Sequence, residues 1–272
     1  MSTGEVSGAL AAVANGSPRV SVKAVSKTYR SRRGMVHALD RVDLGIAENE
    51  FVSVVGPSGC GKSTLLMIVS GLIPLSGGVV EIAGERVTRA HTDLGVVFQD
   101  DALLEWRTVL DNVLLQCEIR RLSRKEYRPR ALELLEMTGL KGFEGKYPYE
   151  LSGGMRQRVA ICRGLVHSPR LLLMDEPFGA LDALTREQMG FDLARLHETS
   201  KTSVLFITHS IPEAVLLSDR VVVMSSRPGR IVETLHIDLP RPRTMAMAEG
   251  AGFTGPVQRI RELFAAQGVL DG

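Results

Sequence analysis

Gly56-Pro57-Ser58-Gly59-Cys60-Gly61-Lys62-Ser63-Thr64 decides how this chain folds. The stretch fits the pattern G-x-x-x-x-G-K-[ST], a loop that wraps phosphate groups. Ahead of it stands Phe51-Val52-Ser53-Val54-Val55, apolar enough for a buried strand, and behind it residues 62–69 suit a helix packed on one face. Strand, glycine loop and helix in that order aim successive backbone N–H groups and the positive end of the helix dipole at one anion. Lys62 is then the cation for the β- and γ-phosphates. Ser63 is a Mg²⁺ ligand, and Thr64 a hydrogen-bond partner for a further phosphate oxygen. Cys60 occupies a free position of the pattern and reads as a small filler.

Working outward, a nucleotide on such a loop needs a second, acidic strand. Leu171-Leu172-Leu173-Met174-Asp175-Glu176-Pro177 supplies four apolar residues and then two carboxylates at the carboxyl end, where ligands bind in α/β sheets. Asp175 reads as the Mg²⁺ carboxylate, and Glu176, one residue outside the strand, as the group that polarises the attacking water. His209 directly follows the apolar run 203–208 at the same kind of strand end and reads as a γ-phosphate contact. The other five histidines have no such context.

The remaining pattern agrees with an α/β protein. Residues 20–25, 39–46, 79–83 and 95–98 read as strands, as do the continuous apolar runs 171–174, 203–208 and 220–224, which suit buried parallel strands. Between 100 and about 151 the character turns helical, and a last amphipathic helix is expected near 257–266. The 272 residues hold 44% hydrophobic side chains, which excludes a mainly disordered chain, and the formal charge of +2 excludes bulk electrostatic binding. No apolar run reaches the roughly 18 residues of a membrane helix. Three scattered cysteines form no CxxC pair and suggest neither zinc nor disulfides. Residues 1–18 read as a flexible leader without the basic start of a secretory signal.

Leu151-Ser152-Gly153-Gly154-Met155-Arg156-Gln157, about 20 residues before the acidic strand, resembles the signature sequence of ABC transporter ATPase subunits. The resemblance covers residues 19–240, leaving 241–272 as a tail with a short helix. It implies a P-loop ABC-type ATPase domain, an α/β fold with a RecA-like core, an antiparallel β subdomain and a helical subdomain inserted at about 100–155. It further implies an adenine-stacking role for Tyr29, and for Gln99 the part of a Q-loop glutamine that touches Mg²⁺ and the water. Ala180-Leu181-Asp182 matches the D-loop, and His209 the switch histidine. Ser152, Gly153 and Gly154 offer a hydroxyl, backbone donors and a helix N-terminus to an anion. In the family they face the γ-phosphate held by the other protomer, so two ATP are sandwiched in a head-to-tail dimer, here of identical chains.

The same resemblance implies separate integral membrane permease subunits, a solute-binding protein, and a peripheral place on the cytoplasmic face of the inner membrane. Residues 103–113, 175–182 and 225–231 look like the importer branch for nitrate, sulfonates and taurine, with a departure at Glu105, where that branch commonly has Pro. Leu103, Leu104 and Trp106, just after Gln99, form the expected permease-docking patch. An exporter subunit is the first alternative. The second is a soluble ATPase acting on nucleic acid, prompted by the basic run at Arg120, Arg121, Arg124, Lys125, Arg128 and Arg130. That run reads better as a solvated helix face, and no direct nucleic-acid contact is expected.

Overall fold

The structure, a computed structural model, describes residues 18–31, 34–179 and 181–269. The expected leader, apart from Pro18, and Ala180 of the D-loop lie outside the described residues. The chain divides into two units, one built from the residues up to 92 and from 203 onward, the other from residues 93–202.

In the first unit β1 (Val20–Ser31) and β2 (Gly34–Ile46) form a long antiparallel ribbon. β3 (Phe51–Val55) leads through the glycine loop into α1 (Lys62–Val69), and β4 (Gly77–Ile82) and β5 (Glu85–Arg86) follow as a hairpin. The ribbon and the hairpin join in the order β2-β1-β4-β5, with Val20 opposite both Ile46 and Ile82.

The second unit opens with β6 (Gly95–Val97), then α2 (Val109–Ile119), α3 (Arg124–Met137) and α4 (Gly153–Leu165). β7 (Leu171–Asp175) pairs parallel to β6, Val96 opposite Leu173, and α5 (Ala183–Ser200) closes the unit. Each helix of this unit starts at a side chain that accepts a backbone N–H: Thr108 from Asp111, Ser123 from Glu126, Ser152 from Met155 and Asp182 from Thr185. The helical character read from residue 100 begins only at Val109. Residues 138–152 contain no more than a single 3-10 turn, Pro148–Glu150.

Back in the first unit, β8 (Ser203–Ile207), α6 (Ile211–Leu217), β9 (Arg220–Met224), β10 (Ile231–His236) and α7 (Ala251–Ala266) complete the chain. β3 lies between β8 and β9, parallel to both, and β10 runs antiparallel along β9. Every residue of β3, β8 and β9 is buried, which is why these segments are mostly apolar, with Ser53, Ser203 and Arg220 the buried polar exceptions. α7 lays Phe253, Val257, Ile260 and Phe264 along one face against Val55, Ala214, Val215, Val221 and Val223. It starts six residues before the expected boundary. Pro256 lies within the helix, and Phe253 in the turn ahead of it is buried in the same cluster.

Candidate functional site

The phosphate loop is shaped by what surrounds it. Gly61 caps α1 at φ 108° without any side-chain hydrogen bond, and a Cβ there would lie 2.7 Å from Leu39 Cδ2 and 2.9 Å from the Ala38 carbonyl. Only glycine fits, on conformation and on space alike. Lys62 is 5% exposed, and its Nζ donates to the carbonyls of Gly56 at 2.8 Å and Pro57 at 3.1 Å, so the ammonium spans the loop. Ser58 and Gly59 form the exposed rim, while Ser63 and Thr64 stand half-buried on the first turn of α1. Cys60 is buried, and burial pushes its thiol pKa up. Tyr29 reaches Thr64, hydroxyl to hydroxyl at 3.3 Å, and its ring carries the Lys27 ammonium 4.9 Å from the centroid. His209 is exposed immediately beyond β8 of the same unit.

A buttress behind the loop was not evident from the sequence, where residues 225–231 carried only a likeness. Gly229 N–H donates to the Ala38 carbonyl at 2.9 Å, and its own carbonyl accepts from Asp40 N–H at 3.0 Å. Arg227 donates through Nε and Nη2 to the Gly59 carbonyl at 3.3 Å, and Arg230 Nε to Asp40 at 2.9 Å. Contacts over some 170 to 190 residues leave no local pattern to read. The one cue was the run of turn-forming Pro and Gly with two arginines.

In the second unit β7 ends as expected on Asp175, half-buried, with Glu176 next. Glu176 has φ 45°, a left-handed conformation that a non-glycine residue adopts at a cost of about 1–3 kcal/mol. This turn sends the carboxylate toward the following loop. A point one bond from the Gly179 Cα has Gln99 Nε2 at 3.4 Å and Glu176 Oε2 at 3.8 Å, so both side chains border the backbone at Gly179. Gln99 is exposed.

The signature residues divide their work. Ser152 caps α4, its Oγ accepting from Met155 N–H at 3.3 Å. Gly153 is exposed, and a Cβ on it would meet nothing nearer than 4.0 Å. Gly154 is buried, and a Cβ there would lie 2.7 Å from Thr185 Cγ2 on α5. Gly153 thus keeps the helix end open, whereas Gly154 lets two helices touch. Neither nearby arginine adds to the open end: Arg156 donates to Asp101 at 2.9 Å and Arg158 to the Thr138 carbonyl at 2.8 Å. Asp182 accepts from Thr185 N–H at 3.0 Å, and the Thr185 hydroxyl together with this N–H holds its carboxyl below the usual carboxylate range.

The expected docking patch splits as well. Trp106 is 73% exposed, but Leu103 is buried and belongs to the core of its unit. The patch is therefore corrected to Trp106 and half-buried Leu104. Asn112, wholly buried on α2, fixes this loop: its Nδ2 donates to the carbonyls of Leu104, Arg107 and Thr108, and its Oδ1 accepts from Leu104 N–H at 2.8 Å. A groove of about 580 Å³ is lined by Gln99, Asp100, Glu105, Tyr149, Gly153 and Arg156.

Residues 39–179 match the ABC transporter family model. The taurine import ATP-binding protein TauB of Rhizobium johnstonii is 51% identical over 223 residues, 82% of this chain and 85% of its own length. An aliphatic sulfonates import ATP-binding protein, SsuB of Bacillus cereus, is 44% identical over 225 residues, 83% and 88% of the two chains. Among solved structures, the dimeric ABC transporter cassette MJ0796 aligns with a TM-score of 0.72 at 36% identity over 80% of this chain and 98% of that one. Its post-hydrolysis form with ADP and Pi gives 0.71. The phosphate loop, the acidic strand and the signature helix therefore identify this chain as a member of the ABC transporter family, an ATP-binding subunit that hydrolyses ATP.

Proposed function

We propose that the chain drives import of a small solute of the nitrate, sulfonate or taurine kind, as a head-to-tail homodimer beneath separate permease subunits on the cytoplasmic face of the membrane, with a solute-binding protein delivering the cargo. The observation that carries the dimer is the open start of α4: Ser152 and Gly153 are exposed donors at a helix N-terminus, in a chain whose phosphate loop already has its own helix. The names of the relatives support import and the solute class. No helix among the described residues is long and apolar enough to cross a membrane, which is why permease subunits are needed.

In this reading Tyr29 stacks on the adenine, the backbone of residues 56–61 holds the phosphates and Lys62 offsets their charge. Thr64 adds a hydroxyl. Ser63, Gln99 and Asp175 offer a hydroxyl, an amide oxygen and a carboxylate, the hard donors that Mg²⁺ takes alongside phosphate oxygens and water. The ion would neutralise charge that builds on the phosphate oxygens. Glu176 accepts the proton of the water that attacks the γ-phosphorus, Gln99 orients that water, and His209 donates to the γ-phosphate. From the partner protomer Ser152, Gly153 and Gly154 close over the same γ-phosphate, with Asp182 beside it. Loss of that phosphate removes what both protomers held, so hydrolysis opens the dimer. Moving a population from 1:99 to 99:1 closed needs about 5.5 kcal/mol of differential binding, within reach of two shared triphosphates.

Trp106, Leu104 and the adjoining groove fit a permease segment. The nucleic-acid alternative is disfavoured by the basic run: Arg124 pairs with Asp111 and Glu118, Arg130 with Glu133, and Arg120 donates to the Leu94 carbonyl. Purification of the tagged chain from gently solubilised membranes tests the assembly. Permease and solute-binding subunits should accompany it, and Trp106→Ala should lose them while keeping ATPase activity in the free subunit. Recovery with ribosomes or nucleic acid, or with a fused exporter subunit, would replace this reading.

A further inference from the structure

The segment after β10 sends two arginines to one helix end. Ser218 N–H bonds to Ala214 O, which leaves the carbonyls of Val215, Leu216 and Leu217 as the last of α6 without helical partners. Arg243, its side chain 1% exposed, donates through Nη1 to Val215 O at 3.1 Å and Leu216 O at 2.7 Å, and through Nη2 to Leu239 O at 3.4 Å. Arg241 Nη2 donates to Leu217 O at 3.0 Å and to Asp219 at 2.8 Å. All three carbonyls are thus met by guanidinium groups, whose charge also suits the negative end of the helix. α7 packs over the same helix through Phe253, Val257, Ile260 and Phe264.

At the opposite end of α6 lies His209. Ser210 Oγ caps the helix by accepting from Glu213 N–H at 3.4 Å. Thr208 Oγ1 donates to Glu213 at 2.7 Å and accepts from Ser210 N–H at 3.0 Å. His209 therefore sits between two residues bonded into the first turn, and any slip or tilt of this seven-residue helix moves it.

We propose that Arg243, assisted by Arg241, is a positioning residue for ATP hydrolysis: by clamping the carboxyl end of α6 it fixes His209 at the other end, and the segment from Ile237 to Phe264 serves the reaction. This rests on the reading of His209 as a γ-phosphate contact. A displacement of about 1 Å in a group aimed at reacting atoms costs rate rather than ground-state affinity.

The test uses the full chain, with turnover, KM for ATP and melting temperature measured on each variant. His209→Ala should lower kcat at least about 100-fold. Arg243→Ala should lower kcat about tenfold with KM within about twofold, Arg243→Lys should recover part of the loss, and Arg241→Gln should cost about threefold. Val22→Ala, a core change in β1, serves as the stability control and should lower the melting temperature without lowering kcat. If Arg243→Ala does not fold, Arg243→Lys and Arg241→Gln decide. Wild-type kcat in the arginine variants beside an inactive His209→Ala would overturn the clamp, as would a change in KM alone. An active His209→Ala would overturn the histidine reading and the clamp with it.

Discussion

Two helices of this chain begin where an anion could bind, and they are built in opposite ways. α1 starts from Gly61 in a left-handed conformation, without a side-chain cap, hemmed by Leu39 and Ala38 and spanned by a buried Lys62. α4 starts from a serine cap, with Ser152 and Gly153 exposed and both neighbouring arginines bonded elsewhere. The same helix-end electrostatics serve both, but one end comes with its own cation and enclosing wall and the other with neither. An enclosed cradle binds by itself, whereas an open end contributes only when something outside its unit presents the anion.

The largest effect should come from breaking the enclosed end. Gly61→Ala sets a Cβ against Leu39 and the Ala38 carbonyl at a φ that alanine resists, and ATP affinity measured calorimetrically should fall at least about 100-fold, roughly 3 kcal/mol. Unchanged affinity would mean the loop does not depend on its wall. At the open end the adjacent glycines should separate. Gly153→Ala should leave the melting temperature and ATP affinity as they are but lower turnover about tenfold or more, since its surroundings are empty within the chain. Gly154→Ala should lower stability by about 1–3 kcal/mol in urea unfolding, because it overpacks α4 against α5. If both merely destabilise, the division between them is wrong.

A smaller effect concerns the far end of α4, where His167 follows. Burial, reinforced by the Arg120 charge, lowers its pKa to about 4. The folded-state value lies below the unfolded one near 6.5, so stability is complete above pH 6.5 and is lost as pH falls toward 4. At pH 5 the loss is about 2 kcal/mol, and His167→Asn should remove that part of the pH dependence in urea unfolding. Arg124→Ala should have the least effect, at most about 1 kcal/mol, since its pairs with Asp111 and Glu118 are solvent-screened.

Much of this architecture was legible because it is written locally. The phosphate loop is contiguous, β3, β8, β9 and the first four residues of β7 are buried and so read as largely apolar runs, and Ser152 stands directly ahead of its helix. What was missed depends on distant partners or on backbone shape. Leu103 looks identical in sequence whether it faces the core or a permease. Gly154 owes its identity to Thr185 on another helix, Arg243 finds its carbonyls some 27 residues back, and nothing in Asp-Glu-Pro announces that Glu176 takes a positive φ.

The most direct test of the open-end account uses Glu176→Gln, which should bind ATP while losing about 10²- to 10⁴-fold in hydrolysis. Its mass with saturating ATP and Mg²⁺ should be read by light scattering, alone and combined with Gly153→Ala. The expected result is twice the mass of one chain for the single variant and the monomer mass for the combination. A monomer in both cases, with ATP demonstrably bound, would contradict the account.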